Sequence, residues 1–233
     1  MIKKITKIVK TLYRKIFWGG GEYLKKELSD CDTVLDLGCG KNSPIQHCNI
    51  PFSVGVDVFE TYLKESQKKG IHNKYIKEDI RKINLEPKSF DAVIALDVLE
   101  HLTEEEGREL IKRMESLAKK KIIVTTPNGY IRQESYDDNP LQEHKSGWAP
   151  GELEELGFKV IGLNGWKRLR GERSLIKYRP VRFWQIISDL TQKITYHCPE
   201  FAFQLFAIKK LKKNELSKSF NNNFKLEWTT RYN

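Results

Sequence analysis

The segment Val34-Leu-Asp-Leu-Gly-Cys-Gly40 joins a short apolar run, Thr33 to Leu37, to a glycine turn, and carries an acidic residue, Asp36, inside the run. A run this short and apolar reads as a strand buried on both faces. Gly38 and Gly40, with the small Cys39 between them, let the backbone turn sharply and let a ligand approach it closely. Together they describe the first strand and turn of a nucleotide-binding α/β unit. Further along stand Asp57, 21 residues after Asp36 at the end of a second apolar run, Asp79 after a third, and Asp97 after a fourth. His101 and His144 supply imidazoles, the side chains that take up and release protons near neutral pH.

The elements that must hold these residues can be read in order. Strands are expected at Thr33 to Leu37, Phe52 to Val58, Lys74 to Lys77, Phe90 to Leu96, Lys121 to Thr125, Phe158 to Leu163 and Phe201 to Ile208. Helices are expected at Glu22 to Leu28, Glu60 to Lys69 with Gly70 as its stop, Thr103 to about Ala118, Pro150 to Leu156, and Val181 to Thr195. Thr103 with Glu106 forms a capping box, and Ser43 with Pro44 a helix start. In the last helix, Phe183, Trp184, Ile187, Leu190 and Ile194 fall at core spacing. Strands alternating with helices predict a mostly parallel sheet with helices on both faces. The final helix and strand are expected as an antiparallel hairpin at one edge.

Three regions are expected. Residues 1–29 form a basic amphipathic segment, in which Ile2, Ile5, Ile8, Val9, Leu12 and Ile16 recur at helical spacing among lysines and arginines. It either packs on the domain's own core or lies, through residues 1–17, on a membrane surface. Gly19-Gly20-Gly21 reads as a flexible joint. Residues 30–210 form the main domain, with a long loop at 130–148 and a basic, partly helical insertion at 165–198. Residues 211–233 are a polar, Asn-rich, flexible tail. The net charge of +10 favours an acidic partner: nucleic acid, a phosphorylated substrate or an anionic membrane. The four cysteines show neither a C-x-x-C pair nor zinc-ligand spacing with histidine. They read as reduced thiols of a cytoplasmic protein, and no metal is expected.

Asp36-Leu-Gly-Cys-Gly40, Gly55-Val-Asp57, Glu78-Asp79-Ile80 and Phe90-Asp-Ala-Val-Ile-Ala-Leu-Asp-Val-Leu-Glu-His-Leu102 stand in the order found in class I S-adenosylmethionine-dependent methyltransferases. The last string resembles the subgroup acting on small molecules, lipids and glycans. The resemblance covers about Asp32 to Lys209 and implies a Rossmann-like seven-stranded sheet, mostly parallel, with the last strand antiparallel. It implies S-adenosylmethionine as cofactor, held by Asp36, Gly38, Cys39, Gly40, Asp57, Val58, Asp79, Ile80, Leu96 and Asp97. Asp36 then accepts from the cofactor's ammonium, or serves as a capping residue. Asp57 accepts from the ribose hydroxyls. Asp79 faces the adenine amino group, or is an ordinary strand-end residue. Leu96 and Asp97 line the methionine part. Lys41 stands near where the family often has a further small residue. It leaves no cradle for a pyrophosphate, which favours S-adenosylmethionine over a dinucleotide.

Methyl transfer from a sulfonium is an in-line displacement that needs alignment, and a base only for a hydroxyl or protonated amine. His101 is either that base or an acceptor-positioning group, or else it caps the helix from Thr103. His144 is the second catalytic candidate. The 130–148 loop, offering Tyr130, Tyr136, Asp137, Asp138, Glu143 and Trp148, would cover the acceptor. Lys167, Arg168, Arg170, Arg173, Lys177, Arg179 and Arg182 are either a solvated surface or a clamp for an anionic acceptor. The expected acceptor is a small molecule, glycan or lipid, methylated at oxygen. An RNA acceptor, and a non-catalytic cofactor-binding subunit with a protein partner, are the alternatives. The expected site is the cytoplasm, free or peripheral to a membrane.

Overall fold

The computed structural model describes residues 19–135 and 137–212. The amphipathic segment before residue 19, the tail after residue 212 and Tyr136 lie outside the described residues. Seven strands, β1 (Thr33–Leu37), β2 (Phe52–Asp57), β3 (Lys74–Lys77), β4 (Phe90–Leu96), β5 (Ala118–Pro127), β6 (Lys159–Trp166) and β7 (Ala202–Lys210), form one sheet in the order β3-β2-β1-β4-β5-β7-β6. The pairs among β1 to β5 are parallel, while β7 runs antiparallel to both β5 and β6. The last strand is therefore antiparallel as expected, but it is not at an edge. It slots between β5 and β6, because its alternating Phe203, Leu205 and Ala207 against Phe206 and Ile208 need apolar cover on both faces.

Helices α1 (Gly20–Glu27), α2 (Glu60–Lys69), α3 (Glu104–Leu117), α4 (Pro150–Glu155) and α5 (Val181–Thr195) flank the sheet. Successive strand residues feed two separate cores. Leu35, Leu37, Val93, Ala95, Ile122 and Val124 pack with Leu110, Ile111 and Met114 of α3 and Leu153 of α4. Val34, Ala92, Ile94 and Ile123 pack on the other face with Leu24 of α1 and the adjoining Leu28. This is the period-two alternation of strands covered on both sides. Local punctuation falls where its chemistry requires. Gly70 ends α2 in the left-handed region at φ 62°. Thr103 Oγ1 accepts from Glu106 N while Glu106 Oε2 accepts from Thr103 N.

Three expectations fail. Gly20 and Gly21 are not a joint. They form the first turn of α1, with Gly19 N donating to Glu22 Oε2 at 3.1 Å; the acidic side chain three residues on closes the turn. Trp148 is not part of a cover over the acceptor. It is fully buried in the larger core, its ring seated against Gly107 of α3 where a side chain would not fit. The third failure is α5: of its predicted core stripe Phe183, Leu190 and Ile194 are more than half exposed and Trp184 and Ile187 are only partly buried, while Ser188, Gln192 and Thr195 are buried. No helix among the described residues is long and apolar enough to cross a membrane.

Candidate active site

The carboxyl ends of β1, β4 and β5 open into a cleft of about 620 Å³, where the chain leaves the sheet on either side of the β1–β4 pair. Asp36, Gly38, Cys39, Gly40, Leu96, Asp97, His101 and His144 all line it. Asp57, Val58, Asp79 and Ile80 stand outside this lining, at the ends of β2 and β3.

The glycine turn is shaped by its backbone. Gly38 adopts φ 71° and Gly40 φ 56°, values that cost L side chains energy. At Gly38 a Cβ would also press into Val98 Cγ2 at 2.7 Å, whereas at Gly40 nothing lies within 4 Å. The turn is thus braced from behind and open in front, as close approach of a ligand to its backbone requires. Asp57 joins the turn to β2: its two carboxylate oxygens accept from Gly40 N and Phe59 N, each at 2.8 Å. Each oxygen retains a further lone pair. Burial pushes the Asp57 carboxyl up, against the pull of those amides.

Asp36 is buried behind the turn. Its Oδ2 accepts from Ser43 Oγ at 2.5 Å and lies 3.0 Å from His72 Nε2. His72 has no counterpart in the sequence reading; its signal was Gly55, whose Cβ would stand 2.9 Å from the His72 ring. Asp79 binds Arg81 through both oxygens and accepts from the Arg81 amide. That bond lowers its carboxyl, and makes the aspartate a turn-forming group. Cys39 is buried, and burial holds its thiol well above the ordinary range, so it is filler rather than nucleophile.

On the same cleft, two histidines 43 positions apart in sequence come face to edge, with ring centroids 4.9 Å apart. His101 Nδ1 lies 3.1 Å from Glu143 O, and His144 Nδ1 lies 2.6 Å from Ile131 O. A carbonyl oxygen only accepts, so Nδ1 donates in both rings and Nε2 keeps its lone pair. Burial pushes His101 down to about 4 and lowers His144 as well, so both are neutral near pH 7. Capping of α3 belongs to Thr103 and Glu106, which removes the capping alternative for His101. Glu100, beside them, is buried, and burial together with the Asp97 charge holds its carboxyl well above the usual range. Asp97, at φ 55°, accepts from Thr125 Oγ1 at 2.9 Å and Gln204 Nε2 at 2.7 Å.

The 130–148 loop closes one wall. Lys145 N and Ser146 N both donate to Glu100 O, and Asp137 pairs with Lys41 Nζ at 2.5 Å and Tyr62 OH at 3.1 Å. Lys41, the departure from the family pattern, is thus the anchor for that loop. The basic insertion divides. Arg170 is buried and structural, donating to Asn164 O, Ser188 Oγ and Ser174 O. Arg173 lines the cleft. Gly20, Gly21 and Leu24 of α1 also line it, although nothing in their sequence announced a site.

Residues 35–125, from β1 to the end of β5, match the sequence model of a family described as a methyltransferase domain. This stretch of the chain is similar to a methyltransferase domain. A solved S-adenosylmethionine-dependent methyltransferase from Archaeoglobus fulgidus is 24% identical to it, with 87% of this chain and 99% of that one covered and a TM-score of 0.51. Another from Clostridium acetobutylicum ATCC 824 is 14% identical, with 90% and 98% covered and a TM-score of 0.53. At these identities the likeness is one of fold. No curated protein matches the chain in sequence. The braced, open glycine turn and the spare lone pairs of Asp57 fit S-adenosylmethionine.

Proposed function

We propose that the enzyme methylates an oxygen atom of a small-molecule, glycan or lipid acceptor by in-line displacement. The observation that carries this reading is the histidine pair. Two neutral imidazoles lining the cleft, each fixed through Nδ1, leave their Nε2 lone pairs unused. A hydroxyl must lose its proton as it becomes a nucleophile, and a neutral imidazole within reach can take it. S-adenosylmethionine, when bound, supplies a methyl group already activated on a sulfonium. Gly38 and Gly40 admit it to the backbone, Asp57 receives its ribose hydroxyls, and Leu96 and Asp97 flank its methionine part. Asp36, engaged by Ser43 and His72, keeps the turn in shape from behind. Arg173 favours an acceptor that carries negative charge.

The test is transfer of labelled methyl from the donor to lipid, glycan and RNA fractions. Label is expected in the lipid or glycan fraction as an alkali-stable ether, reduced roughly 100-fold or more in H101N. The net charge of +10 favours a second reading, an RNA acceptor. Label confined to RNA would establish that reading and overturn the first.

A further inference from the structure

We propose that Glu100, His101 and His144 form a binding site for one divalent metal ion at the acceptor end of the cleft. Each of the three offers a ligand atom, and these atoms lie within 4.8 Å of one another. Two donors bound to one ion, each about 2.1 Å from it, stand at most about 4.3 Å apart, so modest side-chain rotation closes the set. Both rings are already prepared. Each Nδ1 hydrogen is given to a backbone carbonyl, which fixes the tautomer and aims Nε2 outward, the arrangement that orients metal-bound imidazoles.

The independent observation is Glu100. It is only 3% exposed, and its Oε2, with the Thr126 hydroxyl as polar neighbour, makes no hydrogen bond of good geometry. A buried carboxyl is costly as the anion, which is why burial and Asp97 favour its protonated form, and a bound cation is the partner that most fully offsets that cost. The loop supports the same geometry from outside: Glu143 O holds His101, while Lys145 N and Ser146 N hold the Glu100 carbonyl. Sequence spacing hides the site, because the adjacent Glu100 and His101 are joined by a histidine from a distant loop.

Mixed nitrogen and oxygen donors suit Mn²⁺, Fe²⁺, Co²⁺ or Zn²⁺ better than Mg²⁺. Three protein ligands leave positions open for water and for an acceptor oxygen. The role of the ion rests on the oxygen-directed reading above. A hydroxyl on the ion loses its proton to water at lower pH, and the oxygen keeps the electron pair. The histidines then hold the ion, and the proton that an imidazole takes in its absence goes to water.

The experiment uses the full chain, stripped with chelator and titrated with MnCl₂ by calorimetry, while imidazole signals are followed by nuclear magnetic resonance. One Mn²⁺ per chain is expected, with paramagnetic broadening of His101 and His144 and sharp signals from the exposed His47 and His197. In E100Q and H144N, checked for folding by thermal melting, affinity should fall roughly 10- to 100-fold or more. The wild-type broadening decides the matter even if those variants unfold. Absence of saturable binding, or broadening confined to His47 and His197, overturns the site. Its failure is separable from failure of the functional reading: methyl transfer to lipid or glycan that survives chelation leaves that reading standing without the ion. Mn²⁺ held by the histidines with label only in RNA does the reverse.

Discussion

Helices α3 and α5 have the same kind of pattern and opposite orientations. Both carry an apolar stripe at helical spacing. In α3 the stripe, Leu110, Ile111, Met114 and Leu117, is buried against the face of the parallel strands. In α5 Phe183, Leu190 and Ile194 of the stripe are exposed, and the polar Ser188, Gln192 and Thr195 are inside. The difference lies in what each helix covers. A sheet face presents side chains, and apolar ones ask for apolar cover. A sheet edge presents unpaired backbone groups, which ask for hydrogen bonds. β6 is the edge strand, and its pairing with β7 shifts between Leu163 and Trp166. Its stranded groups are met by α5. Gln192 Nε2 donates to Gly162 O at 2.8 Å, Gly165 N donates to Gln192 Oε1 at 2.9 Å, and Trp166 N donates to Thr191 Oγ1 at 2.9 Å. Gly162 and Gly165 make the approach possible, since a Cβ at either would stand 2.1 Å from a carbonyl oxygen of α5.

Four substitutions would break or sharpen this contrast. Met114→Ala, which empties a fully buried site under α3, should destabilise by about 2–5 kcal/mol in urea unfolding. Gln192→Leu raises the apolar content of α5 yet should cost about 1–3 kcal/mol, because it orphans a carbonyl and an amide of β6. Hydrogen exchange at the Gly165 amide should accelerate with it. Thr103→Ala removes the α3 cap and should cost about 1 kcal/mol. Leu190→Ala, on the outward stripe, should change stability by less than about 0.5 kcal/mol. A loss at Leu190 comparable to that at Met114 would show that the α5 stripe is covered in solution, and the contrast would collapse.

What the sequence disclosed, and what it withheld, follows the same division. The end of α2 and the start of α3 were legible because single residues set them, as Gly70 and the Thr103–Glu106 box show. The place of Asp36, Gly38, Gly40 and Asp97 on the cleft wall was legible because they sit at or just after the ends of β1 and β4. The place of β7 was not, since insertion between two strands is decided by distant partners. The inward face of α5 was not, because periodicity reports two faces and leaves open which one the neighbour needs. Nor was the meeting of His101 with His144, or the support of Asp36 by His72, each created by a loop folding back.

The tie between Lys41 and Asp137 has a kinetic consequence. Both side chains are about a third or more exposed, and pairs of that kind contribute at most about 1 kcal/mol in water. At Asp137 the wall is therefore fastened by a tie that thermal motion undoes readily, while the bonds of Lys145 N and Ser146 N to Glu100 O hold it further along. Residence times beneath it should shorten as added salt screens the pair, so product departure from this enzyme is expected to quicken with ionic strength while the chemical step does not.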